Sequence, residues 1–531
     1  MLPERRVRDG RHHSGRRWNA PVLLTWGPAD VGYVPDLLSY ARTRAPNRPA
    51  VVAGERTLAF AEVDERARRL VRLFRDWSLE AGDLVAVLAK NEAEYFELHI
   101  AAIRAGLSLL PLNCRLALPE LQYIVDDCRP RLLVCGEEFS ALSAALEVER
   151  KCSLGAEYDA LLASADPADD PCWWISADAT FVILYTSGTT GRPKGTIISN
   201  RALFARIGCN LFEYQITAED RFLMCLQLFH IGSINCLSHL YVGSTVVLVK
   251  DFEPRHVLGL LSRHRITVVL MVPTMINAVI NLQDVEGADF ASLRLAVYGG
   301  SPIPPVVLSR AVDLMGCGFL QTYGMTETNA ITFLRPRDHD PAGKPHLLAS
   351  AGTVGLGMEV RVVDGEGRDV ARGSTGEIVC RGPCLMDRYL NLPDATTEAL
   401  RGGWMHTGDV GYLDGDGYLF VTDRKHHMII SGGENVYPRE VEDVLFEHPD
   451  ILEAAVIGVP DDRWGERVHA VLVLRQGRAL DRDGVMAFAR ARLAGYKVPK
   501  TLQVVAVLPR NAMGKVAKNE LRGWLANEVN P

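Results

Sequence analysis

A segment rich in glycine, serine and threonine carries the clearest chemical signal in the sequence. It reads Tyr185-Thr-Ser-Gly-Thr-Thr-Gly-Arg-Pro-Lys-Gly195 and follows an apolar, β-branched run that is typical of a buried strand. Its backbone N–H groups and hydroxyls can surround one anion, and Lys194 adds a positive charge at the same place. A Walker A motif is excluded, because Pro193 stands where its second glycine is required. The segment predicts a phosphate-binding loop, with a polar surface turn as the alternative.

A second segment combines an aromatic ring, a hydroxyl and a carboxylate within five positions. In Gln321-Thr-Tyr-Gly-Met-Thr-Glu-Thr328, Tyr323 can stack on a planar base and Thr326 can bond a phosphate. Glu327 can hold Mg²⁺ against phosphate oxygens, although a surface carboxylate would look the same in the sequence.

Two shorter segments suit the remaining parts of a nucleotide. Tyr298-Gly-Gly-Ser301 ends a predicted strand, and its glycines either let the backbone approach a flat ligand or make a tight turn. Trp404-Met-His-Thr-Gly-Asp409 ends on a carboxylate that can accept two hydrogen bonds at once. Asp409 therefore suits the vicinal hydroxyls of a ribose, or it is only a turn residue.

These segments resemble the motifs of the adenylate-forming enzymes, which include acyl-CoA synthetases, firefly luciferases and the adenylation domains of peptide synthetases. Two later segments fit the same pattern: residues 423–438, which resemble the family's hinge and glycine-rich loop, and Pro509-Arg-Asn-Ala-Met-Gly-Lys515. These motifs occur in the family's order, and the resemblance covers residues 35 to 525. Overall the chain looks most like the crotonobetaine/carnitine-CoA and medium-chain acyl-CoA ligases.

The resemblance implies a role for each motif residue. The catalytic residues would be Lys515, which bridges the acyl carboxylate and the α-phosphate, together with Glu327, Thr186 and His230. Glu327 would be the metal ligand, and His426 would be the pivot of the hinge. The ATP and coenzyme A ligands would be Thr186, Ser187, Gly188, Thr189, Thr190, Gly191, Lys194, Gly300, Ser301, Tyr323, Gly324, Thr326, Asp409, Arg424, Gly432 and Gly433.

The family's acyl pocket falls on three stretches of this chain. The residues expected to line it are His230, Gly232, Val272, Tyr298, Gly299 and Gly300, with Ile231 and Ile234 as apolar walls. His230 could instead be a packed core residue. No acid follows His230 closely enough in the sequence to pair a quaternary ammonium, so we expect a neutral, largely apolar acid of medium or large size.

Length and periodicity predict an α/β protein of more than one domain. The chain of 531 residues is longer than a single hydrophobic core normally supports. Predicted buried strands such as 84–88 alternate with helices, and Asn91 is expected to cap one of these helices. We expect a basic extension over 1–30, an N-terminal domain over 31–423 built from two α/β subdomains and a small β-barrel, and a small mobile α+β domain over 424–531.

Composition narrows the function classes. The net charge of −7 argues against nucleic-acid binding, and no apolar run is long enough to span a membrane, which favours a cytoplasmic protein. The 11 cysteines show no zinc spacing and are expected to be reduced thiols.

The implied reaction uses ATP, Mg²⁺ and coenzyme A, with a small carboxylic acid as substrate. The acid would become an acyl-adenylate, and after domain rotation a thiol would displace AMP. The alternatives are a stand-alone adenylation enzyme that serves a separate carrier protein, and a nucleotide-binding regulator without catalysis. The sequence also leaves open whether the protein forms a homodimer. His426 at the hinge predicts that thioester formation depends on pH more steeply than adenylation.

Overall fold

The computed structural model describes residues 36–168, 176–186, 193–424, 428–431, 434–461, 464–511 and 515–528. Within these ranges the chain forms four sheets with helices packed against them, so the predicted α/β class is confirmed. None of the described helices is both long and apolar enough to cross a membrane.

The largest sheet has a parallel centre with antiparallel strands at its edges. Its strands, in spatial order, are Thr353–Val354, Asn329–Leu334, Gly318–Met325, Leu295–Gly299, Val268–Met271, Arg221–Met224, Thr245–Leu248, Pro49–Ala53 and Arg56–Ala59.

The second sheet is also mainly parallel and contains the strands on either side of the predicted phosphate loop. Its strands, in spatial order, are Arg388–Tyr389, Lys194–Ser199, Thr180–Thr186, Ser108–Pro111, Leu84–Leu88, Leu132–Cys135 and Arg150–Ser153. Leu84–Leu88 is apolar throughout, as expected for a strand covered on both faces.

Two smaller, mainly antiparallel sheets complete the chain. The first contains Glu359–Val363, Gly376–Arg381, Met405–Leu413 and Leu419–Arg424. The second contains Glu434–Val436, Ile429–Ser431, Gly465–Leu474 and Ile451–Asp461, and Thr501–Val504 pairs in parallel with Gly465–Leu474.

Helices cover the faces of these sheets. The α-helices are Ser39–Arg44, Phe60–Asp76, Glu94–Ala105, Leu118–Cys128, Ser140–Ala145, Ala156–Ser164, Asn200–Tyr214, Ser233–Val242, Pro254–Arg263, Pro273–Ile280, Pro305–Met315, Pro393–Ala399, Pro438–Phe446, Arg482–Arg490 and Lys518–Glu528. Short 3₁₀ turns span Glu137–Phe139, Val285–Gly287, Pro336–Asp338, Pro345–Ala349 and Arg401–Gly403, and a π-helical turn spans Leu228–Gly232.

One continuous core joins the two large sheets. It contains inward-facing residues from both, such as Val85 and Val87 of the second sheet and Phe222 and Met224 of the first. The sheets therefore cannot shift against each other without breaking shared packing, and they act as a rigid base for residues that project from their strand ends.

Asn91 has a different role from the predicted helix cap. The following helix begins at Glu94, and its N-cap residue is Ala93. The Asn91 amide instead donates to the carbonyls of Leu226 and Val249, both at 2.8 Å, and accepts from the Leu228 N–H at 2.8 Å. This buried side chain thus ties the second sheet to the first, just before the turn that carries His230.

Candidate active site

The turn after strand Gly318–Met325 sets the position of Tyr323, Thr326 and Glu327. A Cβ on Gly324 would lie 1.8 Å from the Asn329 carbonyl oxygen, so only glycine lets the two strands approach this closely. The Thr328 hydroxyl accepts from the Met325 N–H at 3.0 Å and closes the turn. The backbone thus presents this segment in one fixed conformation.

Tyr323 and Asp409 meet across the largest sheet and the 359–424 sheet. The Tyr323 hydroxyl donates to Asp409 Oδ2 at 2.7 Å. Burial, followed by the charge of Asp409, raises the pKa of Tyr323 well above its ordinary value, so the hydroxyl remains a donor. Asp409 lies inside strand Met405–Leu413, opposite Arg424 in the ladder, so the turn-residue alternative is wrong.

Glu327 is a buried carboxylate, with 4% of its surface exposed, which excludes the surface alternative. The Tyr389 hydroxyl donates to Glu327 Oε1 at 2.9 Å, and the Met386 N–H donates to the Glu327 carbonyl at 2.6 Å. Lys194 Nζ lies 5.1 Å from the centre of the Tyr389 ring. Tyr389 therefore links the end of the predicted phosphate loop to the predicted metal ligand.

His230 projects from the Leu228–Gly232 turn toward Thr326. Its backbone leaves helical geometry, with φ −124° and ψ −161°, and its Nε2 lies 2.9 Å from Thr326 Oγ1. Burial and the nearby charge of Lys515, in that order, lower the pKa of His230 to about 4. The imidazole is therefore neutral at physiological pH.

Lys515 reaches this site from the C-terminal part of the chain. Its N–H donates to Asn511 Oδ1 at 3.0 Å, and the Asn511 N–H donates to the Lys515 carbonyl at 2.8 Å, shortly before helix Lys518–Glu528. The charge of Lys515 contributes to lowering the pKa of His230, so the C-terminal part brings this lysine near enough to act on the imidazole. Within the described ranges, hydrogen bonds join Tyr323 to Asp409 and His230 to Thr326, which directly precedes Glu327.

Two family models match this chain. Residues 38–390 match the family model described as AMP-binding enzyme, and residues 440–515 match the AMP-binding enzyme C-terminal domain. The chain belongs to the AMP-binding enzyme family.

Individual relatives cover nearly its full length. A feruloyl-CoA synthase from an Amycolatopsis species is 40% identical over 481 residues, which are 90% of this chain and 96% of the relative. A fatty acid–[acyl-carrier-protein] ligase, ScoC of Streptomyces coeruleorubidus, is 36% identical over 93% of this chain and 97% of its own. The solved o-succinylbenzoate-CoA synthetase MenE of Bacillus subtilis, in complex with its acyl-adenylate intermediate, superimposes with a TM-score of 0.83 at 32% identity and covers 92% and 98% of the two chains.

Other predicted site residues of this AMP-binding enzyme lie at the expected strand ends. Thr186 and Lys194 face each other where strands Thr180–Thr186 and Lys194–Ser199 pair. Gly300 has a φ of +82°, in the region that favours glycine, and Ser301 follows it. A Cβ on Gly299 would lie 2.4 Å from the Thr322 carbonyl oxygen, so this glycine is required for the strands to pack.

The pocket prediction needs one correction, at Tyr298. Its side chain is fully buried, and its hydroxyl lies 2.9 Å from His339 Nε2. It packs with Phe319 on the face of the sheet opposite Met224, which lies beside Gly232. Strand residues alternate between faces, so the Tyr298 side chain points away from His230 and cannot line the same pocket.

The pocket roles of His230, Gly232, Val272 and Gly300 stay predictions. A Cβ on Gly232 would lie 3.0 Å from the Gln227 carbonyl oxygen and 3.5 Å from the Met224 sulfur. A Cβ on Gly300 would lie 3.8 Å from Val272 Cγ1, which is ordinary contact distance. His230 is only partly buried and bonds Thr326, which favours a site role over the core-residue alternative.

Several predicted residues lie outside the described ranges. They are Ser187, Gly188, Thr189, Thr190, Gly191, His426, Gly432, Gly433 and the 1–30 extension, and of Arg424 the structure describes only the backbone. Their roles stay predictions.

Two site residues, Tyr389 and Arg206, were missed from the sequence. Tyr389 belongs to a two-residue strand, and Arg206 lies inside a helix, so no spacing pattern marked either of them. Only the tertiary contacts of Glu327 and Thr326 reveal them.

Proposed function

We propose that this chain is an AMP-forming acid–coenzyme A ligase for a neutral, largely apolar carboxylic acid, with aromatic acids as the first candidates. The observation that carries the proposal is the grouping of three features: the Lys515 charge that acts on His230, the His230–Thr326 hydrogen bond and the buried Glu327. The AMP-binding family and the names of the feruloyl-CoA and succinylbenzoate-CoA relatives support both the chemistry and the aromatic class.

In the first half-reaction the acid's carboxylate oxygen attacks the α-phosphorus of ATP. The bond from that phosphorus to the bridging oxygen of pyrophosphate breaks, and no proton has to move. Lys515 offsets negative charge on the carboxylate and α-phosphate, while Asp409, oriented by Tyr323, holds the ribose. The neutral His230 keeps Thr326 oriented without adding a second positive charge beside Lys515.

Mg²⁺ fits the donor set around Glu327. Mg²⁺ commonly uses one or two carboxylates together with substrate phosphates, and Glu327 offers a buried carboxylate whose Oε1 is already oriented by Tyr389. Bound there, the ion would offset charge on the phosphate oxygens. No described residues form a cluster of three or more metal-ligating side chains, which suits an ion held largely by its substrate.

The second half-reaction requires a thiol to reach the adenylate carbonyl. The thiolate sulfur bonds to that carbon, and the carbon–oxygen bond to AMP breaks. The contacts of Arg439 with the carbonyl of Val421 at 2.8 Å and with the Asp423 carboxylate at 3.3 Å hold the junction in the present arrangement. Rotation about residues 424–427 would exchange Lys515 for the 432–433 segment and admit the thiol.

A decisive assay separates activation from transfer. The purified protein is incubated with Mg²⁺, ATP, hydroxylamine and a panel of a hydroxycinnamate, an arylacetate, a medium-chain fatty acid and carnitine, and pyrophosphate and hydroxamate are measured. We expect both products with the neutral acids and neither with carnitine. No product with any acid would refute the function, and turnover of carnitine alone would refute the predicted acyl class.

A carrier protein is the second candidate acceptor, because ScoC shares 36% identity over most of the chain. Supplying coenzyme A, or a phosphopantetheinylated carrier protein, to the preformed adenylate distinguishes the two acceptors. Thioester formation with the carrier protein alone would replace coenzyme A in the proposal.

A further inference from the structure

Arg206 is a fully buried arginine in helix Asn200–Tyr214, at the back of the candidate active site. Burying a guanidinium is costly unless its donors and its charge are satisfied. Among the described residues, no carboxylate forms an ion pair with it, and its Nη1 has no hydrogen-bond partner. A charge kept in such a place requires an explanation beyond packing.

The two hydrogen bonds of Arg206 go to both segments that flank Glu327. Its Nη2 donates to the Thr326 carbonyl at 3.1 Å, and its Nε donates to the Cys384 carbonyl at 2.8 Å. Thr326 directly precedes Glu327, and the segment that starts at Cys384 supplies the Met386 N–H on the Glu327 carbonyl. Arg206 therefore joins the two stretches of backbone that hold the predicted metal ligand.

The same arginine acts on the other side of Thr326. While the Thr326 carbonyl accepts from Arg206, the Thr326 hydroxyl lies 2.9 Å from His230 Nε2, and Lys515 is close to His230. A shift of the Thr326 backbone would thus move two groups. One is the Thr326 hydroxyl, which orients His230, and the other is the neighbouring Glu327.

The charge of Arg206 also persists under working conditions. Burial lowers the pKa of Arg206 to about 10, and the nearby charges, including that of Glu327, oppose this shift. The guanidinium is therefore protonated at neutral pH and partly offsets the cost of burying the Glu327 carboxylate.

We propose that Arg206 is a positioning residue for the adenylation half-reaction, which fixes Thr326 and Glu327 from behind without touching the substrate. This inference rests on the proposed function. It predicts that loss of Arg206 slows the chemical step of adenylation more than it weakens ATP binding, and leaves transfer from a supplied acyl-adenylate nearly intact.

The test compares Arg206→Met and Arg206→Lys with Arg48→Met. Arg48 is a matched control, because its guanidinium also donates to two backbone carbonyls, those of Ala218 at 2.6 Å and Gly243 at 3.4 Å. Single-turnover pyrophosphate release gives the rate and the ATP dependence of adenylation. Thioester formation from synthetic acyl-adenylate gives the second half, and thermal unfolding reports the fold.

For Arg206→Met we expect an adenylation rate lower by about 10- to 100-fold, the usual effect of losing a hydrogen bond from a charged group. The ATP KM should change less than about threefold, and Arg206→Lys should recover part of the rate because it keeps the charge. Arg48→Met should leave both half-reactions at the wild-type rate.

Equal losses in both half-reactions, or an unchanged adenylation rate, would overturn the inference. If Arg206→Met does not fold, Arg206→Lys decides: a wild-type ratio of the two half-reaction rates refutes the positioning role. A wild-type protein that releases no pyrophosphate with any acid refutes the function and this inference together, whereas an active wild type with unaffected variants refutes only the inference.

Discussion

Neutrality of His230 during adenylation can be measured directly. With a pKa of about 4, only about 1% of His230 would be protonated at pH 6, whereas a histidine at the ordinary value of about 6.5 would be about three-quarters protonated. If adenylation uses the neutral imidazole, protonation reduces its rate at pH 6 about fourfold in the ordinary case and negligibly here. The structural causes are burial and Lys515, in that order.

The assay is a histidine-selective NMR titration of the whole protein between pH 4 and 8. The His230 resonance is assigned from its absence in His230→Gln, and pyrophosphate release is followed over the same range. We expect no movement of the resonance above pH 5.5 or so, and no loss of adenylation rate that coincides with it. In Lys515→Ala the His230 pKa should rise, because one of its two causes is removed, yet stay below the ordinary value, because burial remains.

A His230 titration centred between pH 6 and 7 would refute this reasoning. An unchanged His230 pKa in Lys515→Ala would refute only the docking of Lys515 against the site. The effect of His230 on stability also has a definite sign. Folding lowers the pKa of His230, so this residue reduces the free energy of unfolding as the pH falls from about 6.5 toward the pKa of the folded state.

Three further substitutions test other parts of the site and core. Lys515→Ala should slow adenylation by about 2.7–4 kcal/mol of transition-state stabilisation while sparing transfer from supplied adenylate; unchanged pyrophosphate exchange would contradict its catalytic role. Asp409→Ala and Tyr323→Phe should both raise the ATP KM with kcat nearly kept, because the ribose is remote from the reacting phosphorus and the two side chains share one 2.7 Å bond; unaltered ATP affinity in isothermal titration would contradict the ribose assignment. His99 is fully buried, and in the part of the chain that the structure describes neither ring nitrogen has a hydrogen-bond partner; burial lowers its pKa to about 3. His99→Phe should therefore gain about 2 kcal/mol more relative stability at pH 5 than at pH 8, measured by urea unfolding, and a pH-independent difference would refute this.

Local patterns predicted the elements well because each element's sequence agrees with its environment. Leu84–Leu88 is apolar because both of its faces are covered, and the apolar residues Val63 and Phe74 lie on the buried face of helix Phe60–Asp76. The cap prediction for Asn91 was wrong because a helix cap and a long-range amide contact use the same side chain. Only the position of the Leu226 and Val249 carbonyls decides between the two.

Site residues were predictable where chemistry and backbone constraint coincide in one short segment. The motif Tyr323–Glu327 needs Gly324 for strand approach and its polar residues for the ligand, so a single stretch records both demands. The prediction that Tyr298 lines the acyl pocket was wrong. Its motif is recognisable, but the alternation of side chains along the strand places the Tyr298 side chain on the opposite face of the sheet. Tyr389 and Arg206 had no motif at all, because they act on Glu327 and Thr326 across long sequence separations.

Thr326 is where these contacts combine into a mechanism. At neutral pH its carbonyl is held by the charged Arg206 and its hydroxyl by the neutral His230, so the two sides of one residue connect a buried cation to a site near Lys515. Were His230 protonated, Lys515 would face a second cation when it docks, and like charges at close range oppose approach. Burial of His230 therefore favours the docked arrangement of the C-terminal part. The same burial lowers the pKa of His230 and keeps it neutral, so the site can accept the positive charge of Lys515 that adenylation requires.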